Sequence, residues 1–558
     1  MKILGINFFF EHISVAVIDD GRLVFSAEEE RFTGIKGGKR YSPFSVQFPY
    51  KSIYAALDYL KIEIKDIDVI ALSYDKWKHL KGMMSKRWSY YDDYYAIRSL
   101  FHTKRILCSN YELFQYMSDR INLNDLKKIP IICFDHHLSH AASAYCYSGF
   151  EKSLVFAADC CGEKSCTSLY IGSDKGLKKI ASFDIPHSLG ILYATVTKHL
   201  GFNTFQDEFK VMGLASYGND KYREEFKNII TFDENGSYKL NEKNMFNLQK
   251  FLGPARKKGE EITQRHKDIA KTLQSILEEI LIKLFTYYRD KTGIRKLCMA
   301  GGIALNCVAN GKISDAGIFD EIFIQPASSD AGTSMGASAL AWNKYNGEMQ
   351  IQYDNMYLGT EYSNEYIEKN IKSAKLKYEY LDDVNMAEVV ASKIADGKVG
   401  GVFRGRMEAG PRALGNRSVI ASPMNIDMLE KINKIKGREM FRPIAPIIKE
   451  EKFDEFFIGE KNRYMLFTCT VKPEARKKIP AVTHVDYTSR VQTMSSDSNP
   501  FIYNILDNFE KKTGIPVIIN TSLNFRGKPI VENPVDALAN FYSSGLDFLV
   551  IGNYLLEK

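Results

Sequence analysis

The chain has 558 residues, 45% of them hydrophobic, more than one core organises, so two domains are expected. Its net charge of +7 is small for that length, and basic residues are interspersed with acidic ones. This argues against nucleic acid as a partner and leaves local anion sites open. The nine cysteines lack a paired framework, no charged-then-apolar leader precedes MKILGINFFF, and no apolar run reaches membrane-spanning length. A reduced, cytoplasmic protein with no membrane partner is therefore expected.

In chain order, KILGINFF reads as a strand, EHIS as a turn carrying His12, and the next stretch as a second strand with a hairpin at Asp19-Asp20-Gly21. The aromatic- and lysine-rich segment 74–128 is either a substrate-side insertion or an exposed helical excursion. In FDHHLSHAA at 134–142, His136 and His140 stand four apart, so a helix starting there puts both imidazoles on one face. SLVFAADCCGEKSCTSLYIGSDKGLKKIASF then repeats the opening plan, with a strand ending near Asp159, a glycine-containing turn, a second strand, a turn and a third strand. Two such units indicate a duplicated α/β fold of the kind that builds actin-like and sugar-kinase-like ATPases, whose turns hold phosphates with backbone N–H groups. Cys160, Cys161 and Cys166 lie around a strand turn and read as free thiols. Residues 262–290 have the spacing of a core-facing amphipathic helix. In LCMAGGIALNCVANGKI a strand enters Gly301-Gly302 and a helix leaves it, a geometry in which backbone can approach a nucleotide. Asp330, in PASSDAGTSMGA, and Asp159 complete a His₂Asp₂ set with His136 and His140, which suits iron, zinc or manganese.

From about 345 to 400 the chain turns polar, separating a first domain, 1–350, from a second, 351–558. The second has its own chemistry. GVFRGRMEAGPRALGNRSVIASP and INKIKGREMFRPIAP place Arg412, Arg417, Lys436, Arg438 and Arg442 in segments dense in turn residues, an arrangement that suits a phosphate or carbamoyl phosphate. AVTHVDYTSRVQT adds His484, Asp486 and Arg490. The strand PVIIN ends in NTSLN, with Asn520, Thr521, Ser522 and Asn524 as hydrogen-bonding groups.

Together EEERFTGIKGGK, HHLSHAA, EFKVMGLASYG, GGIALNCVANG, ASSDAGTSMGA, EAGPRALGNRS, KGREMFRPIAP, THVDYTSRVQT and NTSLNFRGKPI resemble, in order and across nearly the whole chain, the ATP-dependent O-carbamoyltransferases of nodulation-factor, antibiotic and toxin tailoring. The resemblance implies a duplicated actin-like (ASKHA-type) N-terminal domain similar to the tRNA threonylcarbamoyl transferase. It implies an α/β C-terminal domain similar to threonylcarbamoyl-adenylate synthase. It further implies that Arg412, Lys436, Arg442, Arg490, Asn520, Ser522 and Asn524 line a site where ATP, with Mg²⁺, and carbamoyl phosphate form carbamoyl-adenylate. The N-terminal domain would use the adenylate, with Gly301, Gly302 and Asn306 at the nucleotide and a metal on His136, His140, Asp159 and Asp330. Among iron, zinc and manganese the resemblance favours Fe²⁺. His12 matches a histidine near the family's reacting centre and is expected to accept the proton of an acceptor hydroxyl. The acceptor is expected to be a saccharide-like, nucleoside-like or secondary-metabolite small molecule, and a homodimer is compatible with the sequence.

Two positions depart from the family pattern. Ile13 stands where Asp usually follows the turn histidine, and Cys160 stands where Gly usually follows the third metal ligand. A cysteine there forbids a turn needing positive φ and brings a thiol beside the metal. Three other readings compete: transfer to tRNA adenosine, an actin-like ATP-binding switch without transfer, and a metal-dependent hydrolase.

Overall fold

The computed structural model describes residues 1–9, 11–38, 48–78, 120–524 and 527–558, so most of the segment 74–128 lies outside it. The chain divides into two compact units, Met1–Asp354 and Asn355–Lys558.

The first unit repeats one sheet plan twice. In the first copy β1 (Lys2–Asn7), β2 (Ser14–Asp19) and β3 (Arg22–Glu28) form an antiparallel meander, and β4 (Val69–Leu72) and β5 (Ile131–Cys133) add in parallel on the other side of β1. In the second copy β6 (Ser153–Ala158), β7 (Ser165–Ser173) and β8 (Gly176–Asp184) form the meander. After a short hairpin of β9 (Ile230–Phe232) and β10 (Tyr238–Leu240), β11 (Lys296–Ala300) and β12 (Glu321–Ile324) extend the sheet in parallel from β6. The orders β3-β2-β1-β4-β5 and β8-β7-β6-β11-β12 match strand for strand, the duplicated actin-like α/β plan. Every residue of β6 is buried, as a central strand covered on both faces requires, whereas edge strand β8 has none fully buried.

Each copy ends in a helix, His136–Tyr145 after β5 and Thr333–Asn346 after β12, and these two helices pack together. Gly336 makes that contact possible, because a Cβ there would lie 1.8 Å from the Ser139 carbonyl oxygen. Gly336→Val is therefore expected to force apart the helices that carry or follow three of the four acid and imidazole ligands. It should destabilise the unit by about 3 kcal/mol and lower bound metal, as thermal melting and elemental analysis would show; a fully metallated, equally stable variant would contradict this packing.

The helix expected at 262–290 runs from Gln264 to Thr292. Thr263 and His266 form a capping box at its start, and Gly293 closes its end in the left-handed conformation. Asn219 N–H donates to Asp268 and Tyr222 N–H to Thr272, both on this helix, and buried Tyr238 donates to Thr167 of β7.

The EEERF segment carries a buried carboxylate on Glu29. Glu29 accepts from Ser52 N and Oγ at 2.7 and 2.8 Å and from Lys51 N at 3.3 Å, capping the helix Tyr50–Leu60. Burial outweighs these hydrogen bonds and raises its pKa from 4.5 to about 7. Between those values the folded chain holds a proton that the unfolded chain has released, so rising pH removes stability across that window. Glu29→Gln should be free of this loss. Relative to the wild type it should gain on the order of 1–3 kcal/mol between about pH 5 and pH 8, measured by denaturant unfolding; parallel pH profiles would refute it.

The second unit is built on an eight-stranded mixed sheet. Its strands are β13 (Glu379–Tyr380), β14 (Gly400–Phe403), β15 (Arg417–Ala421), β16 (Ala445–Lys449), β20 (Gln492–Met494), β21 (Val517–Ser522), β22 (Phe548–Ile551) and β23 (Tyr554–Glu557), in the order β13-β23-β22-β14-β15-β21-β16-β20. A small sheet of β17 (Phe457–Ile458), β18 (Cys469–Val471) and β19 (Thr488–Ser489) lies alongside in sequence. One continuous core, including Ile447, Ile518, Ile519, Leu549 and Val550, covers this unit's sheet and helices. Among the described residues, no helix is long and apolar enough to cross a membrane.

Candidate functional site

In the first unit the duplicated topology brings four side chains from three separate segments together. His136 and His140 stand on the first turns of the helix after β5, Asp159 follows β6, and Asp330 precedes the helix Thr333–Asn346. Their donor atoms all lie within 4.8 Å of one another. Nε2 of His136 and of His140 lie 3.2 and 3.1 Å from Asp159 Oδ2, and 3.7 and 3.4 Å from Asp330 Oδ1. Both histidines are fully buried. Two imidazoles and two carboxylates, buried and converging on one point, are a donor set that fits a divalent transition metal. Burial by itself would depress the His136 pKa, but the hydrogen bonds to Asp159 and Asp330 prevail and hold it well above its ordinary value. Burial likewise opposes ionisation of Asp330, yet its bonds to both histidines keep it well below the usual carboxylate range. His136 and the two aspartates thus favour opposite charges that stabilise each other.

Several residues that the sequence did not single out position this cluster. Asp330 Oδ2 accepts from the Glu11 backbone N–H at 2.8 Å, tying the first turn to the fourth ligand. Asn7 Nδ2 donates to the Glu11 and His12 carbonyls at 2.9 and 3.1 Å, and His12 itself sits at φ 48°, a strained conformation for a non-glycine residue. Glu208, of the EFKVMGLASYG segment, has its carboxyl raised by burial and lies within the electrostatic reach of His12. Glu163 accepts from the His136 backbone N–H at 3.1 Å, at the N-terminus of the histidine helix, where a carboxylate is favoured by the orphan donors. Burial raises this acid to about 7.

The Cys160 departure has a local explanation. Cys160 is not among the positive-φ residues, so the turn needs no glycine there. Ser188 Oγ donates to the Asp159 and Cys160 carbonyls at 3.1 and 2.7 Å and holds the turn from outside. Burial pushes the Cys160 thiol well above its ordinary pKa, and it is not part of the converging donor set. Ile13 is wholly buried, and its carbonyl accepts from Glu29 N–H.

The Gly301-Gly302 turn divides its labour. Gly301 has φ 89°, and a Cβ on it would lie 2.1 Å from the Ala158 carbonyl oxygen, so it serves the packing of the turn against the end of β6. Gly302 is exposed with open space where a Cβ would stand, leaving bare backbone accessible. Asn306 caps the next helix, accepting from Ala309 N at 3.0 Å, and exchanges two hydrogen bonds with Gln274 at 2.8 and 3.1 Å. Its side chain is therefore engaged in orienting Gln274.

In the second unit the cations separate into two groups. Arg417 is a structural residue. It is fully buried, stacks 3.8 Å from the Phe403 ring, and donates to the carbonyls of Arg404, Gly405 and Asn416 at 2.8, 3.1 and 3.0 Å. Glu408 beside it accepts from the backbone of Leu414, Asn416 and Arg417, pinning the GPRALGNRS loop. Lys436, Arg438, Arg442 and Arg490 form the second group. Lys436 Nζ bonds Ser522 and Asn524 at the end of β21. Burial, then Arg438 and Arg442, force its pKa well below the usual range, and burial, then Arg442 and Arg490, bring Arg438 to about 9. Buried Nη2 of Arg438 and Nε of Arg490 have no hydrogen-bond partner among the described residues. Arg442 also lies 3.9 Å from Glu439, one acid against four clustered cations, and such an excess with unmet donors is arranged for an anion. Asn520 points its amide elsewhere, donating to the Ala413 carbonyl and to Gln492 at 2.9 and 2.8 Å, which ties the loop carrying Arg412 to β21. His484 lies 3.5 Å from Asp486, which also accepts from Thr488, so this pair shapes the turn leading to Arg490.

Comparison with known proteins matches both units. The pattern described as carbamoyltransferase N-terminus covers residues 2–339, and that described as carbamoyltransferase C-terminus covers 391–558. The chain belongs to the carbamoyltransferase family. It is 35% identical to nodulation protein NolNO of Sinorhizobium fredii, over 99% of this chain and 80% of that protein. It is 38% identical to nodulation protein NolO of Bradyrhizobium diazoefficiens, over 76% of this chain and 79% of that one. An uncharacterised Synechocystis protein, sll1178, is 34% identical over the whole chain and 96% of its own length. The His₂Asp₂ group and the cation cluster of this carbamoyltransferase each fall within one of the two matched regions.

Proposed function

We propose that the enzyme makes carbamoyl-adenylate in its second unit and transfers the carbamoyl group to a hydroxyl of a small molecule in its first. The observation that carries this reading is the cluster of Lys436, Arg438, Arg442 and Arg490, in which buried Nη2 of Arg438 and Nε of Arg490 have no hydrogen-bond partner among the described residues, and burial, then the neighbouring cations, lower the pKa values of Lys436 and Arg438. In the first half-reaction water cleaves carbamoyl phosphate to carbamate and inorganic phosphate. A carbamate oxygen then attacks the α-phosphorus of Mg²⁺-bound ATP, and pyrophosphate leaves. Lys436, Arg442 and Arg490, with Arg412 on the pinned loop, stabilise the charge that gathers on the phosphoryl oxygens. Ser522 and Asn524 hold Lys436 in position.

In the second half-reaction the acceptor hydroxyl attacks the carbamoyl carbon, the bond to the AMP oxygen breaks, and AMP departs with that electron pair. His12 accepts the hydroxyl proton, oriented by the Asn7-braced turn. Gly302 offers exposed backbone to the nucleotide. A divalent metal on His136, His140, Asp159 and Asp330, with Fe²⁺ favoured, would supply positive charge to the adenylate phosphate. The acceptor is a saccharide, nucleoside or related metabolite.

The test needs no acceptor. Purified protein with ATP, Mg²⁺ and carbamoyl phosphate should release pyrophosphate and yield carbamoyl-adenylate by mass spectrometry; ATP left intact, or cleaved to ADP regardless of carbamoyl phosphate, would refute the first half-reaction.

A further inference from the structure

The turn that carries His12 is sewn to the Asp330 segment before, within and after the histidine. Within it, the Glu11 N–H donates to Asp330 Oδ2 at 2.8 Å. After it, Ser14 Oγ donates to the Ala331 carbonyl at 2.8 Å and lies 3.0 Å from Ser334 Oγ. Before it, Asn7 Nδ2 donates to the Glu11 and His12 carbonyls, and Asn7 Oδ1 accepts from Ser73 Oγ at 3.3 Å. Thr333 Oγ1 lies 2.9 Å from Ser73 Oγ and 2.7 Å from the Asp330 carbonyl oxygen. A ring therefore closes from Asp330 through Glu11, Asn7, Ser73 and Thr333 back to Asp330.

Asn7, Ser73 and Thr333 are each 1% exposed or less, so these bonds are shielded from competing water. The Asn7 amide has one workable orientation, because two backbone carbonyls require its NH₂ group. The clamp matters because His12 has φ 48°, a region unfavourable to any residue with a Cβ. Released, the residue would relax to negative φ, and that rotation redirects its Cα–Cβ bond. At the far side of the ring, Asp330 Oδ1 faces the imidazoles of His136 and His140 at 3.7 and 3.4 Å. The ring thus joins one carboxylate of the His₂Asp₂ group to the backbone that aims His12.

We propose that Asn7 is a positioning residue that holds the His12 side chain at a fixed distance and direction from the His₂Asp₂ group, so that the base and the metal ligand Asp330 move as one body. The inference rests on the reading of His12 as the base of the transfer step.

The test uses full-length protein loaded with Co²⁺ or with Zn²⁺ and needs no acceptor. Histidine-ring NMR gives the difference in the His12 Cε1–H shift between the two metals, which depends on the distance and direction of that proton from the ion; the line missing from His12→Asn identifies it. The wild type should show a single shifted His12 line. Asn7→Leu, similar in size but unable to hydrogen-bond, should split, broaden or move that line at unchanged metal stoichiometry. Amide exchange at Glu11, read by peptide mass spectrometry, should quicken about tenfold, the scale of losing a pair of hydrogen bonds, while the helix His136–Tyr145 exchanges as before. A residue that only fills space would be replaced by leucine with neither change. Ser73→Ala, which unties the Asn7 amide, should move both readouts in the same direction and decides the matter if Asn7→Leu does not fold. An unmoved His12 line overturns the inference even if exchange quickens. A wild type with no His12 shift difference overturns it too, and one that binds no Co²⁺ takes the metal site with it. Carbamoyl transfer that survives in His12→Asn, with both readouts as expected, would overturn the base and leave the clamp.

Discussion

Replacing Arg442 by alanine is expected to lower carbamoyl-phosphate-dependent pyrophosphate release by two to three orders of magnitude, on the scale of removing one group that stabilises transition-state charge. The side chain lies in a cluster where, after burial, its charge helps to lower the pKa values of Lys436 and Arg438. Those interactions are unfavourable in the free enzyme and become favourable once an anion sits among them, so the loss should fall mainly on catalysis and not on folding. Arg442→Ala should therefore melt no lower than the wild type, and Lys436 should recover a more ordinary pKa as a neighbouring charge disappears. Arg442→Lys keeps the charge without the planar fork and should retain partial activity. Pyrophosphate release at the wild-type rate in Arg442→Ala would remove the cation cluster from the reaction.

His140→Ala has the opposite signature. It removes one of four converging donors in the first unit and leaves Asp159 and Asp330 facing each other with a single imidazole between them. Bound metal should fall from stoichiometric to near zero by elemental analysis, in line with the loss of a first ligand. Pyrophosphate release should stay within about twofold of the wild type, because no residue of the second unit is altered, and carbamoyl transfer should drop at least a hundredfold. Carbamoyl-adenylate should then accumulate to a higher level than in the wild type supplied with acceptor. Equal loss of pyrophosphate release in His140→Ala and Arg442→Ala would end the division of labour between the two units.

The motif-level reading and the structure agree where chemistry is local. The His136–His140 spacing needs only one helical turn, and the duplicated strand–turn–strand pattern at the start of the chain and at 153–184 needs only hydrophobic runs interrupted by glycine, so both were legible from residues alone. The capped helix Gln264–Thr292 was legible for the same reason. Arg417 shows the limit. In sequence it is one arginine among several in a glycine-rich stretch, and nothing local distinguishes a guanidinium facing a ligand from one that satisfies three backbone carbonyls. Asn520 and Asn306 are similar: hydrogen-bonding capacity is written in the side chain, but the partner that consumes it lies 107 and 32 residues away.

By itself, then, the sequence determined which groups are present and their short-range periodicity: the histidine pair, the turn glycines, the basic segments and the family to which they belong. Only the tertiary structure decided how those groups combine. Asp159 and Asp330 meet the histidines because two copies of one sheet pack their final helices against each other at Gly336. The Glu11 backbone reaches Asp330 across 319 residues of chain for the same reason. The repulsive cluster of Lys436, Arg438, Arg442 and Arg490 exists because burial brings like charges together at the cost of their solvation. Packing and desolvation depend on distance in space, which a linear order of residues does not contain.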